Sequence, residues 1–235
     1  MKIKAILSSV FFPERCPVCG RIRPFLKSYC PECGIDTNSI SPDACPKCCH
    51  KNCICNEVNN IELPHFTSVY YYRGQLKRSI LRFKFNSESS FADIFGKAMA
   101  ERIKTVYGDR VFDGICFVPM IKSKERIRGY NQSKLLALKI SKELEIPLVE
   151  CLAKEKASAD QKSLSAAERI ENLKGGFSVT KNIEGKVLIL CDDIKTTGAT
   201  LKECSDTLLS AGAEDVYCLS LAVTTYRKRT DIFSQ

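Results

Sequence analysis

Val187-Leu-Ile-Leu-Cys-Asp-Asp-Ile-Lys-Thr-Thr-Gly-Ala-Thr200 begins as an apolar run and ends as a hydroxyl-rich loop. After the turn Glu184-Gly185, residues 187–191 have the continuous apolar character of a strand buried in a parallel sheet. From Leu201 to Leu209 the spacing predicts a helix with Leu201, Cys204, Leu208 and Leu209 on one side. Ala211-Gly212-Ala213 ends it, and Val216 to Val223 returns as a second apolar strand. This is a βαβ unit, and its loop lies at the carboxyl end of a strand, where open α/β sheets bind ligands. Asp192 and Asp193 are expected at the strand end, where carboxylates accept hydrogen bonds from vicinal ribose hydroxyls or help hold Mg²⁺. Thr196, Thr197 and Thr200 offer hydroxyls, Gly198 permits close backbone approach, and the helix start presents free N–H groups, a combination suited to a sugar phosphate. The pattern is neither the GxxxxGK[ST] loop nor the GxGxxG turn. One helix cap needs one acceptor, so capping alone does not account for two adjacent carboxylates.

Upstream, Ile115 to Pro119 reads as the next buried strand. Phe91 to Tyr107 reads as a helix whose Phe91, Ile94, Phe95, Ala98, Met99, Ile103 and Val106 form a core face. Tyr70, Tyr71 and Tyr72 precede Arg73, Lys77, Arg78, Arg82 and Lys84, with Phe83 and Phe85 interleaved. Residues 75–84 are expected to be helical, with Leu76, Ile80, Leu81 and Phe83 inward and the cations as an outward stripe. Phosphate neutralisation with base stacking is how sequence-tolerant single-strand binding works. A solvated face over a buried aromatic seam explains the same pattern. Lys122, Lys124, Arg126 and Arg128 suit a pyrophosphate or a DNA backbone equally. Lys154 to Ala167 has no strand pattern and is rich in Lys, Ser and Ala.

The chain has 235 residues, 44% hydrophobic and 27% charged, the mix of one medium domain with a small appendage rather than a disordered or low-complexity protein. No apolar run approaches the ~20 residues of a bilayer span. The opening MKIKAILSSVFF mimics a signal peptide, but no small-residue cleavage site follows, and a cytoplasmic location is expected. The net charge of +9 is unevenly spread. Residues 1–60 carry eight basic and five acidic side chains, residues 61–130 thirteen and seven, and residues 131–235 fifteen of each. A polyanion-facing side is expected in the first 130 residues.

Nine of the 14 cysteines lie between Cys16 and Cys55. Cys116, Cys151, Cys191, Cys204 and Cys218 are scattered, and read as small buried hydrophobes. The cluster opens with Cys16-Pro-Val-Cys19-Gly and Cys30-Pro-Glu-Cys33-Gly, followed by Cys45-Pro-Lys-Cys48, Cys49, Cys53 and Cys55. Paired CxxC turns direct four thiolates at one tetrahedral ion, which suits zinc. With few aliphatics between Pro13 and Asn60, metal binding would supply the folding energy. An odd number of cysteines without a secretory signal argues against a disulfide framework, and tandem repetition argues against a redox CxxC. Cys16, Cys19, Cys30 and Cys33 form the first expected site; Cys45, Cys48, Cys53 and Cys55 form a second, with Cys49 and His50 as rival ligands. Each four-thiolate zinc site carries a charge of about −2, which offsets part of the basic excess.

The stretch Val187–Thr200 resembles the signature of type I phosphoribosyltransferases. The cysteine knuckles narrow the resemblance to the ComF competence family. Leu7 to Cys19 is similar to that family's start, and Tyr72-Arg73-Gly74-Gln75-Leu76-Lys77 through Phe83-Lys84-Phe85 to its basic–aromatic segment. Pro119, Arg126 and Arg128-Gly129-Tyr130-Asn131-Gln132 resemble its RGFNQ element, with Tyr130 in place of Phe. Gln161, Leu164, Arg169, Asn172 and Phe177 follow its Q..L....R..N....F pattern. The resemblance implies an α/β, type I phosphoribosyltransferase-like parallel sheet over residues 61–235, preceded by a zinc-ribbon module over residues 1–60. It implies that Asp192 and Asp193 hold the ribose hydroxyls of phosphoribosyl pyrophosphate (PRPP), bound with Mg²⁺. Lys195, Thr196, Thr197, Gly198, Ala199 and Thr200 would cradle the 5′-phosphate. Lys154 to Ala167 resembles the loop that closes over PRPP, making Gln161, Lys162 and Arg169 candidates to touch ligand; an ordinary surface loop fits as well. ComF membership implies handling of incoming single-stranded DNA in natural transformation, with Arg73, Lys77, Arg78, Arg82, Lys84, Arg126 and Arg128 as the candidate contacts. The DNA-translocation machinery would then be a partner, with transient inner-membrane association through it. An active transferase acting on a base or nucleic-acid acceptor and a PRPP-sensing regulator are the alternative readings.

Overall fold

The computed structural model describes Cys16, residues 21–22, Cys30, residues 39–45 and 47–53, Cys55, Ile61, Leu63, and residues 65–85, 90–155 and 175–224. Cys19, Cys33, Gln161, Lys162 and Arg169 lie outside these residues. The elements in chain order are β1 (Thr67–Tyr71), α1 (Gly74–Phe85), α2 (Ser90–Tyr107), β2 (Gly114–Phe117), α3 (Lys122–Arg128), α4 (Gln132–Leu144), β3 (Leu152–Lys154), β4 (Phe177–Val179), β5 (Val187–Lys195), α5 (Ala199–Ser210) and β6 (Asp215–Val223). Strands β1, β6, β5 and β2 form a parallel sheet in that order, and β3 pairs with β4 antiparallel.

Strand β5 shows why one apolar run organises both faces. Side chains alternate across a pleated strand. Accordingly Ile189 and Cys191 enter one core, with Phe83, Phe91, Phe95, Met99, Leu136 and Ile140 from α1, α2 and α4. Leu188 and Leu190 enter the other, with Cys116, Cys204, Leu208, Val216 and Cys218 around α5. The scattered cysteines Cys116, Cys151, Cys191, Cys204 and Cys218 are all fully buried. Burying each large apolar side chain contributes about 1.5–3 kcal/mol, so this sandwich needs no metal to close.

Strand β5 runs four residues past the expected end at Cys191, because Asp192, Ile194 and Lys195 continue the ladder to Ser220, Ala222 and Val223 of β6. The acids therefore sit within the strand. Helix α4, not foreseen in the sequence, starts at Asn131, whose side chain accepts from the Lys134 N–H. It crosses α2 where a Cβ on Gly96 would collide with Lys139 Cβ. Lys154, read as part of a segment without strand pattern, ends β3 opposite Phe177. Leu81, expected inward, is 39% exposed, while Phe83 is fully buried.

The described residues of the cysteine-rich segment pack on this sandwich. Ile40 N–H donates to the Val69 carbonyl at 2.9 Å, extending the sheet past β1 and covering an edge. Arg102 of α2, 9% exposed, donates to Thr67 Oγ1 at 2.8 Å, the Ile40 carbonyl at 2.7 Å and the Ser41 carbonyl at 3.2 Å. Tyr71 Oη donates to the Cys49 carbonyl at 2.6 Å. Among the described residues no helix is long and apolar enough to cross a membrane.

Candidate functional site

The carboxyl end of β5 and the first turn of α4 meet at a cavity of about 200 Å³. Its lining includes Asp192, Asp193, Asn131, Gln132 and Ser133, together with Lys84, Lys124, Arg128 and Lys154. Ser133 Oγ donates to Asp192 Oδ1 at 2.9 Å, and the Asp193 amide donates to the same oxygen at 2.8 Å. Asp193 Oδ2 faces the Lys84 ammonium at 2.8 Å. Burial, reinforced by the neighbouring Asp193 charge, pushes the Asp192 carboxyl up to about 7, against the opposing pull of Ser133, the Asp193 amide and Lys84. Two adjacent acids thus acquire unequal character: one paired with a cation, the other near its protonation midpoint at neutral pH.

Beside the acids, Thr196 to Thr200 turns the chain into α5. Gly198 has φ +93° and stands at the helix N-cap with no side-chain cap. Its left-handed backbone favours glycine. The uncapped amides that follow are donors for an anion, although Ala199 N–H lies 3.3 Å from Thr197 Oγ1. A narrow concavity here is lined by Asp192, Ile194, Lys195, Thr196, Gly198, Ala199, Thr200 and Leu201.

Two sequence expectations require correction, and Lys195 takes a setting the sequence did not announce. Lys195 is 2% exposed and packs under the phosphate-type loop, with its Cε 3.0 Å and its Nζ 3.6 Å from where a Cβ on Gly198 would stand. Its Nζ also lies 5.1 Å from the Phe66 ring centroid and senses the Cys49, Cys48 and Cys55 thiols, so the ammonium sits between the loop and the cysteine-rich segment. Lys84 leaves the outward stripe of α1 for Asp193, because it is one residue past buried Phe83 and turns toward β5. Part of the aromatic half of the stripe is core: Tyr70 is 5% exposed and Phe83 fully buried, so neither offers a face for base stacking, whereas Tyr71 and Tyr72 are half-buried. Arg73 is exposed just before α1, Lys77 and Arg78 on α1, and Arg126 on α3. Arg73 lies 5.2 Å from the Tyr71 ring centroid and Arg82 5.6 Å from that of Phe91. Arg128 is half-buried in the cavity wall.

Sequence reasoning missed Ser133 and Lys154 as site residues. Ser133 directly follows Asn131-Gln132, and the N-cap of α4 brings it under β5; that proximity is not written in the local sequence. Lys154 reaches the cavity from β3, with Nζ 5.1 Å from the Phe177 ring centroid. Burial lowers its pKa.

On the other side, the thiols of Cys45, Cys48, Cys53 and Cys55 lie within 4.8 Å of one another, with Cys45 and Cys55 sulfurs 3.7 Å apart. Zn–S bonds of ~2.3 Å in a tetrahedron require sulfurs ~3.8 Å apart, so the donor set fits zinc. Neither rival belongs to this quartet. His50 Nδ1 lies 2.8 Å from the Cys48 carbonyl, and burial pushes the Cys49 thiol up to about 12. Burial also works to raise Cys45, but amides of Cys48 and Lys47 and the thiols of Cys53 and Cys55 bring it down to about 7. Cys16 and Cys30, from the first expected set, are buried in the same core cluster.

Comparison with known proteins places this geometry in a family. A family model described as "Phosphoribosyl transferase domain" matches residues 131–233, which include the α4 start, both acids and the loop. The DNA utilization protein YhgH of Escherichia coli (strain K12) is 30% identical over 211 residues, covering 87% of this chain and 88% of that protein. Competence protein ComFC of Bacillus subtilis (strain 168) is 32% identical over 199 residues, covering 84% and 72%. Competence protein F of Haemophilus influenzae is 30% identical over 214 residues, covering 88% and 84%. With a phosphoribosyltransferase-type sheet, a four-cysteine cluster ahead of it and relatives matched over most of their length, the chain belongs to the ComF family.

Proposed function

We propose that this chain binds PRPP at the carboxyl end of β5 and acts on single-stranded DNA in transformation or DNA utilisation. The observation that carries the PRPP reading is the pair Asp192 and Asp193 on one cavity wall beside the uncapped, glycine-led start of α5. Asp192 and Asp193 accept the hydroxyl protons of the ribose diol. The N–H groups of Thr197 to Thr200 and the threonine hydroxyls receive the 5′-phosphate. Lys124, Arg128 and Lys154 line the side on which a pyrophosphate lies. Mg²⁺ bound with the ligand balances its charge, and the two carboxylates are the groups suited to it or its waters. Fixed donors and acceptors in a part-buried cavity stabilise charge that develops on the sugar, which is how this fold would favour pyrophosphate departure if an acceptor is present.

Residues 1–60 form a zinc module in this reading. Cys45, Cys48, Cys53 and Cys55 hold one ion, and Cys16, Cys19, Cys30 and Cys33 a second. The metal locks the segment that Arg102 and Ile40 join to the sheet. The DNA reading rests on the relatives' names, the basic excess of the first 130 residues and the exposed Arg73, Lys77, Arg78 and Arg126. Such a protein works on the cytoplasmic side, next to the machinery that translocates DNA.

The test is calorimetry of Mg²⁺–PRPP on zinc-quantified protein, with and without a short single-stranded oligonucleotide, and with pyrophosphate assayed in the same cell. Binding that is lost in the Asp192→Ala/Asp193→Ala double variant is the expected result. Unchanged affinity in that variant removes the site assignment.

A further inference from the structure

The Lys84 ammonium is 2.8 Å from Asp193 Oδ2, and the two side chains are 18% and 13% exposed. The backbone carrying Lys84 is held by the segment that follows α3. Tyr130 Oη donates to the Phe83 carbonyl, and Gln132 Nε2 donates to the Lys84 carbonyl at 3.3 Å. One residue on, Ser133 donates to Asp192. Residues 130–133 therefore hold both acids, Asp192 directly and Asp193 through Lys84. The Lys84 carbonyl requires an N–H, which fixes the Gln132 amide so that its Oε1 is the other end. That oxygen is buried and has no hydrogen-bond partner among the described residues, although Gln132 lines the cavity. A donor from a bound molecule or water is what this wall lacks.

We propose that Lys84 is the positioning residue of the sugar site: it holds Asp193 as an oriented acceptor, and so makes the site select a ribose over a 2-deoxyribose phosphate. This rests on the reading of Asp192 and Asp193 as the diol acids. A carboxylate gripped by a cation at hydrogen-bond distance keeps one orientation, so its remaining lone pairs meet a ligand in a fixed direction. A diol has two hydroxyl protons to give and needs two acceptors. Lys84 fixes Asp193, while Ser133 and the Asp193 amide fix Asp192. Lys84 lines the same cavity as the acids and is only 18% exposed, so it is not a solvated surface cation.

The experiment is calorimetry on the full, zinc-loaded chain with three probes: ribose 5-phosphate, 2-deoxyribose 5-phosphate and inorganic pyrophosphate. The wild type is expected to prefer the ribo compound by ~10-fold or more, the scale on which a polar site rejects a ligand missing one hydroxyl. Lys84→Met and Lys84→Gln are expected to reduce that preference to ~2-fold or less, while Lys84→Arg restores most of it and pyrophosphate affinity stays within ~2-fold. Proportional loss of pyrophosphate and both sugars would make Lys84 an anion ligand and overturn the proposal. A preserved preference in both Lys84→Met and Lys84→Gln would overturn it while leaving the diol acids in place. A wild type with no ribo preference would remove the diol reading, and the role of Lys84 with it.

Discussion

The sheet around β5 and the cysteine-rich segment from Ser39 to Cys55 are stabilised by different physics. The first buries alternating side chains of β5 in two cores, with Ile189 facing α2 and α4 and Leu188 facing α5. The second presents little apolar surface beyond Ile40, Ala44, Cys48 and Cys49. Among the described residues it joins the rest through Ile40, Ala44 and Cys49, which enter the Leu188 core, and through the Ile40–Val69 backbone hydrogen bond, the three donors of Arg102 and the Tyr71–Cys49 hydrogen bond. One region is held by area, so damage to it spreads through the whole fold. The other adds a small apolar contact, a few directional hydrogen bonds and a thiol quartet, so damage to the quartet remains local.

The largest effect should come from the first region. Phe95→Ala removes a fully buried ring that meets Phe83 and Phe91, and is expected to lower global stability by about 3–5 kcal/mol in urea unfolding. A shift of midpoint confined to one spectroscopic probe would contradict a single cooperative sheet. Arg102→Met separates the regions next. It leaves the Ile40 and Ser41 carbonyls without their charged donor, a local cost of about 2–4 kcal/mol. Hydrogen exchange should accelerate at residues 39–45 and stay slow in β5. Uniform acceleration would mean that the two regions unfold as one.

Chelation of zinc sharpens the same contrast. Proteolysis within residues 39–55 should rise at least ~10-fold while the sheet remains folded. Equal protection with and without chelator would remove the quartet as a metal site.

A smaller effect concerns the acids. Asp192 is raised by burial and by Asp193 to about 7, so the folded chain keeps a proton that the unfolded chain has lost above about pH 4. Stability due to this group therefore falls as pH rises from about 4 to 7. Asp192→Asn should stabilise the chain by about 1–3 kcal/mol at pH 8 and by less at pH 5. An identical gain at both pH values would contradict the raised carboxyl.

The smallest effect is on the surface. Neutralising Arg73, Lys77 and Arg78 should change stability by no more than ~0.5 kcal/mol. The same change should flatten the salt dependence of single-strand binding by about one unit for each phosphate that is no longer neutralised. An unchanged salt slope would make α1 a solvated face only.

The local sequence determined the β5–α5–β6 unit, because an apolar run, a Gly-led loop and a 3.6-residue spacing are short-range signals. It also determined the helices at 74–85 and 90–107 to within a residue, and the cysteine pattern that announces a thiol site. Tertiary structure decided which side chains meet. Asp193 finds Lys84 across more than a hundred residues of chain, and Asp192 finds Ser133 across 59. Lys195 packs beneath Gly198 of the loop, with its Cε 3.0 Å from where a Cβ would stand, and its ammonium also senses the cysteines of a segment more than a hundred residues away. Periodicity states which face of an element is buried, whereas the partner on that face depends on how the elements cross, and no local pattern contains that crossing.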